Sequence, residues 1–84
     1  MKLLWHESAW EDYLFWQKTD KKVLKRINVL IKSCERTPFS GIGKPEPLKN
    51  ELSSYWSRRI DQTNRLVYRV QEDTLIIIQC RFHY

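Results

Sequence analysis

The second half of the chain contains a carboxylate, an imidazole and several guanidinium groups that together could cleave an RNA backbone. The nucleophile in such a reaction is the RNA's own 2′-hydroxyl, and Glu46 could act as the base that removes its proton. His83 could protonate the departing 5′-oxygen, because an imidazole titrates near neutral pH. The charge that builds on the phosphoryl oxygens could be stabilised by Arg59, Arg65 and Arg81, since guanidinium groups present paired donors and keep their charge. This chemistry needs no metal or cofactor, and the sequence has no cluster of His and Cys residues at metal-ligand spacing.

These side chains can act together only if the strands that carry them project them from the same sheet face. Alternating polarity predicts strands over residues 55–61, 65–70 and 74–82. The candidates on or after these strands all have odd numbers: Arg59, Arg65, Arg81 and His83. They share one face if odd-numbered residues point to the same face in all three strands, that is, if both hairpins preserve parity. A hairpin does so when its loop has an odd number of residues or when a strand contains a bulge. The residues predicted to face the core have even numbers: Trp56, Ile60, Leu66, Tyr68, Val70, Ile76, Ile78, Cys80 and Phe82. Each candidate taken alone also fits a solvated surface residue, and that alternative stays open.

A loop over residues 39–54 precedes the first of these strands and carries the candidate base. Its two glycines and two prolines indicate a shaped loop, of the kind that more often carries function than fold. Because the loop leads directly into the strand, we expect Glu46 and Lys49 to lie over the face that carries the arginines.

The first half of the chain predicts one short strand, over residues 2–5, and two helices. The S-x-x-E pattern at residues 8–11 predicts a capping box for a helix that ends near Lys18. Asp20 offers an N-cap for a second helix, which Thr37 and Pro38 should end. Its apolar side chains recur at helical spacing: Val23, Leu24, Ile27, Leu30, Ile31 and Cys34. The order β-α-α-β-β-β predicts one α+β domain over residues 1–84, an antiparallel sheet backed by two N-terminal helices with its other face open to solvent.

The formal net charge of +5 indicates a polyanionic partner, either nucleic acid or an acidic protein. The second predicted helix offers a docking surface for it, because its face opposite the apolar residues carries Lys22, Lys25, Lys32 and Arg36. The two cysteines lie in apolar contexts, which predicts small buried hydrophobic residues in a reducing compartment. Neither a signal peptide nor a membrane-spanning run is apparent, so we expect a soluble cytoplasmic protein.

Four segments of the sequence resemble YoeB-type toxins of the RelE superfamily: residues 44–48 (KPEPL), 56–60 (WSRRI), 65–68 (RLVY) and 80–84 (CRFHY). The resemblance covers the whole chain from its first residues onward. It implies a microbial-RNase fold that enters the ribosomal A site and cuts messenger RNA there, which stops translation. It also implies a YefM-type antitoxin as partner, and repression of the shared operon by binding of the complex to operator DNA. Whether the free chain is a monomer or a homodimer stays open.

The same resemblance implies a role for each candidate residue. Glu46 would be the general base, His83 the general acid, and Arg65 would stabilise the phosphorane. Lys49 and Arg59 would hold the scissile phosphate, and Tyr84 would contact or stack on a nucleotide beside the cut. Phe82 stands where many relatives have tyrosine, which affects no catalytic position.

Two other functions stay open at this point. A non-enzymatic basic domain could block the ribosome or an enzyme such as gyrase, as ParE relatives that keep the fold without nuclease chemistry do. An RNase that needs no ribosome is a third hypothesis. The cationic helix face fits docking on ribosomal RNA for an enzyme and for a blocker alike, because such docking is electrostatic.

Overall fold

Two helices near the amino terminus cover one face of a five-stranded sheet in the computed structural model, which describes all residues 1–84. The elements in chain order are β1 (Lys2–Trp5), α1 (Glu7–Thr19), α2 (Lys21–Arg36), β2 (Glu46–Pro47), a 3₁₀ helix (Asn50–Leu52), β3 (Trp56–Arg59), β4 (Arg65–Gln71) and β5 (Thr74–Gln79). The predicted α+β class and the order of the main elements are confirmed.

The sheet has the order β1-β5-β4-β3-β2, and its last three strands form the predicted antiparallel meander. Two features extend that prediction. β1 joins the edge of the sheet parallel to β5, so the sheet is mixed. Part of the predicted loop forms β2, which pairs antiparallel with β3 and places Glu46 directly opposite Ser57.

The helix boundaries follow the prediction closely for α2 and less closely for α1. The Asp20 carboxylate caps α2 by accepting hydrogen bonds from the backbone N–H groups of Lys22 (3.1 Å) and Val23 (3.2 Å). The capping box predicted for α1 is wrong, because α1 already begins at Glu7 and its N-cap residue, His6, makes no side-chain hydrogen bond. Parallel pairing continues to His6, whose N–H donates to the Ile77 carbonyl at 2.9 Å, so the helix starts directly after the strand. Ser8 therefore lies inside the first turn.

The core lies between the helices and one sheet face, and the even-numbered prediction for this face holds only in part. Ile60, Leu66, Tyr68 and Cys80 are buried in it, and Trp56 and Val70 pack against it. In β5 the core residues are Leu75 and Ile77, so the prediction of Ile76 and Ile78 is wrong. Phe82, also predicted in the core, is 59% exposed.

Strand register explains the inverted parity of β5. Gln71 pairs with Thr74 across a two-residue turn, which brings even-numbered residues of β4 opposite odd-numbered residues of β5. A β-bulge then inserts Ile78, because Tyr68 pairs with Ile77 while Val67 pairs with Gln79. The bulge restores the predicted parity beyond it, which is why Cys80 reaches the core.

Both cysteines are free and buried, as predicted. Burial raises the pKa of the Cys34 thiol to about 11 and that of the Cys80 thiol to about 12, so both remain protonated. Neither helix is long and apolar enough to cross a lipid bilayer.

Candidate active site

Glu46 and the candidate arginines lie on the sheet face that points away from the helices, which we call the distal face. Directly opposed residues of neighbouring strands share a face, and the pairs Glu46–Ser57 and Arg59–Arg65 define this one. The predicted placement of Arg59 and Arg65 on one face, with Glu46 over it, is therefore confirmed. The face is less open to solvent than predicted, because Ser57 and Arg65 are 2% and 8% exposed.

The loop that carries Glu46 is fixed to the sheet by backbone contacts on both sides of it. The Gly43 carbonyl accepts a hydrogen bond from the Arg59 N–H at 2.7 Å, and the Leu48 N–H donates to the Tyr55 carbonyl at 2.9 Å. Gly43 has φ of +81°, and a Cβ at this position would lie 2.7 Å from Leu30 Cδ2. Only glycine fits this approach of the loop to α2, so local sequence determines where Glu46 enters the sheet.

A second anchor for this loop is Arg58, which the sequence reasoning missed. Arg58 is fully buried, faces the helices and has no carboxylate partner. All five of its N–H donors are nevertheless used. They reach Tyr68 Oη (3.1 Å), Ser33 Oγ (2.7 Å) and the carbonyls of Ile42 (3.1 Å), Thr37 (2.6 Å) and Ser40 (2.8 Å). The available signal was a charged residue at an even-numbered strand position, where the pattern requires a core residue.

The C-terminal residue lies against Glu46. The Tyr84 hydroxyl donates to Glu46 Oε1 at 3.0 Å, and the Ser57 hydroxyl donates to the Tyr84 oxygen at 3.4 Å. Glu46, Lys49 and Tyr84 line a cleft of about 330 Å³, together with Pro47, Leu48 and Leu52. The structure thus brings the predicted base, one predicted phosphate-binding cation and the predicted stacking residue into one cleft.

His83 lies outside that cleft. β5 ends at Gln79, so strand parity does not extend to residue 83. The imidazole is exposed, its Nδ1 lies 3.0 Å from the Tyr84 carbonyl oxygen, and it borders a cleft of about 400 Å³ that Ser8 and Asp12 of α1 also line. The segment is nevertheless held near β4 and the candidate base. The Phe82 carbonyl accepts from the Arg65 backbone N–H at 2.9 Å, and the His83 ring centroid lies 4.6 Å from that of Tyr84, whose hydroxyl contacts Glu46.

Arg81 does not join the distal face, so this part of the prediction is wrong. Its guanidinium carbon lies 3.5 Å from the centroid of the Phe15 ring on α1 and 4.4 Å from that of Phe82. β5 ends at Gln79, so strand parity does not extend to Arg81, and this segment lies against α1. Arg81 forms cation–π contacts there instead of facing the candidate base.

Arg65 is held by the turn before it. Its Nη1 donates to the carbonyls of Asp61 (2.7 Å) and Asn64 (3.1 Å). The Asp61 carboxylate in turn accepts hydrogen bonds from Thr63 and Asn64. Burial would raise the pKa of the Asp61 carboxyl, but these hydrogen bonds together outweigh it and lower that pKa below 3.8.

The cations of the candidate site have no carboxylate partner in the protein. One ion pair within 4.0 Å is present, between the N-terminal amino group and Asp73 at 3.9 Å, and neither partner is a candidate site residue. Lys49 and Arg59 are exposed, and Arg65 uses Nη1 on backbone carbonyls. The distal face therefore presents positive charge that a polyanion can neutralise.

Comparison with known proteins decides the family. The family model for "YoeB-like toxin of bacterial type II toxin-antitoxin system" matches residues 5–84. Toxin YoeB of Escherichia coli K12 is 61% identical over 84 residues, which cover 100% of both chains. This chain belongs to the YoeB-like toxin family. The resemblance inferred from the sequence motifs is confirmed.

Solved structures agree with this YoeB-like assignment. A YoeB/ParE toxin from Agrobacterium tumefaciens superposes with a TM-score of 0.98 at 56% identity, over 100% of both chains. YoeB of Staphylococcus aureus in a heterotetrameric YoeB–YefM complex gives a TM-score of 0.92 at 45% identity, over 100% of this chain and 98% of that one. A dimer of the S. aureus toxin has also been solved, with a TM-score of 0.93 at 45% identity over the same shares.

The four cations predicted on the second helix of this YoeB-like chain are all exposed: Lys22, Lys25, Lys32 and Arg36. They lie on one side of α2, opposite the buried Ile27, Leu30 and Cys34. The helix layer thus presents a basic surface on the side of the molecule away from the distal face.

Proposed function

We propose that this chain is a ribosome-dependent endoribonuclease that cleaves messenger RNA in the A site by acid–base catalysis and so inhibits translation. The observation that carries the proposal is the position of Glu46, an exposed carboxylate on the same sheet face as Arg59 and Arg65 and in one cleft with Lys49. A base surrounded by cations without carboxylate partners suits a reaction at a phosphodiester. A simple anion-binding surface has no use for the carboxylate.

The proposed reaction assigns one step to each group. Glu46 removes the proton from the 2′-hydroxyl, and the 2′-oxygen attacks the adjacent phosphorus. Lys49 and Arg59 hold the phosphate, and Arg65 stabilises the charge of the five-coordinate intermediate through its remaining N–H donors. The bond from phosphorus to the 5′-oxygen breaks as His83 protonates that oxygen. The products are a 2′,3′-cyclic phosphate and a 5′-hydroxyl end, and the two proton transfers balance.

The position of His83 bears on why the ribosome is needed. The imidazole is exposed on the short tail after β5, and the tail is tied to Arg65 through the Phe82 carbonyl. We propose that RNA held in the A site completes the site by drawing His83 to the 5′-oxygen. Free RNA lacks that constraint and is expected to be cut poorly.

The partners proposed for this chain follow from its relatives. S. aureus YoeB forms a complex with YefM, and we propose a YefM-type antitoxin that neutralises this chain. We further propose that the complex binds operator DNA and represses its own operon. The S. aureus dimer makes a homodimer the state to test in solution.

The test is a single-turnover cleavage assay on ribosomes programmed with a defined message, with mapping of the new 5′ ends. Glu46→Gln and His83→Ala should each lower the rate at saturating toxin by roughly 10²–10⁴-fold, with little change in ribosome affinity. Glu72→Gln removes a carboxylate from the β4–β5 turn and serves as the matched control. Intact messages on inhibited ribosomes would instead establish a non-enzymatic blocker, and equal cleavage of naked RNA would establish a ribosome-independent RNase.

A further inference from the structure

Three oxygen atoms from distant parts of the chain form a row beside the candidate base. Ser57 Oγ donates to Tyr84 Oη at 3.4 Å, and Tyr84 Oη donates to Glu46 Oε1 at 3.0 Å. Ser57 is 2% exposed, although its side chain lies on the distal face.

The row has a defined direction. A phenol has one proton to donate, and Ser57 supplies a donor to the phenol oxygen, so the Tyr84 proton is free to point at the carboxylate. Ser57 itself is fixed, because it pairs directly with Glu46 across β2 and β3 and with Val67 across β3 and β4. Ser57, whose backbone is fixed by strand pairing on both sides, therefore begins the row, and Glu46 ends it.

We propose that the Tyr84 hydroxyl is a positioning group for Glu46, oriented in turn by Ser57. This inference rests on the proposed function, in which Glu46 is the general base. It assigns Tyr84 a task besides stacking on a nucleotide, and it assigns Ser57 a task that the sequence did not suggest.

The geometry fits that task because the hydrogen bond engages only one carboxylate oxygen. Oε1 accepts from Tyr84, and Oε2 accepts no hydrogen bond from the protein, so it stays available for the 2′-hydroxyl proton. Glu46 is exposed on a two-residue strand, where its side chain would otherwise sample several rotamers. A donor that holds one oxygen orients the other, and such orientation contributes to rate without contributing to the binding of RNA.

Two substitutions at residue 84 separate the hydroxyl from the ring. Tyr84→Phe keeps the stacking surface and removes the hydroxyl, so the single-turnover rate at saturation should fall roughly 10-fold, the value of one charge-assisted hydrogen bond, while ribosome affinity stays unchanged. Tyr84→Ala should lower both the rate and the affinity. Ser57→Ala should lower the rate by less than Tyr84→Phe, again with unchanged affinity. Thermal unfolding of each variant serves as the control for folding.

The Glu46→Gln background identifies where the hydroxyl acts. If Tyr84 works through Glu46, adding Tyr84→Phe to Glu46→Gln should cost little more than Glu46→Gln alone. A further full 10-fold fall in rate would place the hydroxyl on RNA and overturn the inference. The inference would also be overturned if Glu46→Gln inactivates the enzyme but Tyr84→Phe cleaves at the wild-type rate or faster. A wild-type rate for Glu46→Gln would instead overturn the proposed base, and this inference with it.

Discussion

Five arginines in the sheet and its flanking segments show how much a residue's contacts decide its role. Arg58 has every donor used inside the protein, whereas Arg59 on the next position is exposed. Arg65 is held by two backbone carbonyls, and Arg81 stacks on an aromatic ring. Arg69 has a buried Nε without a hydrogen-bond partner. Arg59, Arg65 and Arg69 all lie on the distal face by strand alternation. Arg59 and Arg65 are the two proposed to act on the phosphate, and they pair directly across β3 and β4.

The turn that holds Arg65 should make stability depend on pH. The Asp61 carboxylate accepts hydrogen bonds within this turn, and its pKa is lower in the folded protein than in the unfolded chain. The ionised carboxylate therefore contributes stability that is fully present above the pKa of the unfolded chain, near 3.8. That contribution is lost as pH falls through the lower folded pKa. Urea unfolding at pH 7 should show Asp61→Ala to be less stable than wild type, and the difference should shrink towards pH 3. Asp61→Asn keeps an acceptor that does not titrate, so its stability should lack this pH-dependent component. A difference between wild type and Asp61→Ala that is constant over this range would contradict the account.

At the scale of elements, alternate side chains of β3 contribute to the candidate site on one face and anchor a loop on the other. Ser57 and Arg59 face the candidate site, while Arg58 between them faces the helices and holds the loop over residues 37–42. Because that loop continues through Gly43 to β2, Arg58 connects the helix layer to the strand that carries Glu46. The same short strand thus supplies one site cation and fixes the path of the segment that supplies the base.

Removal of Arg58 should therefore cost both stability and order in this loop. Arg58→Met leaves buried carbonyls without donors, and we expect the free energy of unfolding to fall by about 2–4 kcal/mol. Amide hydrogen exchange should accelerate over residues 37–43 before it does so elsewhere. Arg69→Met is the matched control, because Arg69 has a buried Nε but no hydrogen bond, so its removal should cost less than about 1 kcal/mol. Equal decreases for the two variants would show that the hydrogen bonds of Arg58 are not what anchors the loop.

Sequence pattern predicted the elements well and the faces of β5 poorly, for a physical reason. The periodicity of α2 and the Asp20 cap are local signals, and both are confirmed. Side-chain parity across a hairpin depends instead on the length of the turn and on bulges, which are set by pairing between strands. The two-residue turn before Thr74 and the bulge at Ile78 each shift parity by one, so the assignments between them are wrong and that of Cys80 is right. Arg81 and Phe82 lie beyond the end of β5, where strand parity no longer applies.

The candidate site shows the same division between local and non-local information. The sequence correctly placed Arg59 and Arg65 on one sheet face, because the five-residue connection between β3 and β4 preserves parity. It also correctly placed Glu46 and Lys49 beside them, because the loop that carries both residues runs directly into β3. The contact of Tyr84 with Glu46 spans 38 residues and could not be read from spacing. The burial of Arg58 was also missed, since its partners come from three different segments, α2, β4 and the loop over residues 37–42.

At the scale of the whole molecule, positive charge lies on two opposite sides. The distal face carries Arg59 and Arg65, and the outer face of α2 carries Lys25 and Lys32, with the core between them. The molecule is 24 Å across its narrowest dimension, so one flat RNA surface cannot contact both sides together. A partner that contacts both must enclose the protein, as a cleft with RNA walls does. This charge distribution suits the proposed ribosomal partner better than free RNA.

The two basic surfaces should therefore contribute to different steps. Lys25→Ala combined with Lys32→Ala should weaken ribosome association. In a plot of log affinity against log salt concentration, the slope should become shallower by about 0.7–0.9 for each phosphate that the variant no longer neutralises. The single-turnover cleavage rate at saturating toxin should stay near that of wild type, because these lysines lie across the core from Glu46. Lys2→Ala combined with Lys18→Ala removes the same charge from β1 and α1 and should change the salt dependence less. The measurements are ribosome binding at several salt concentrations and cleavage at saturation. An equal fall in the saturated rate would mean that α2 shapes the candidate active site rather than docking the protein.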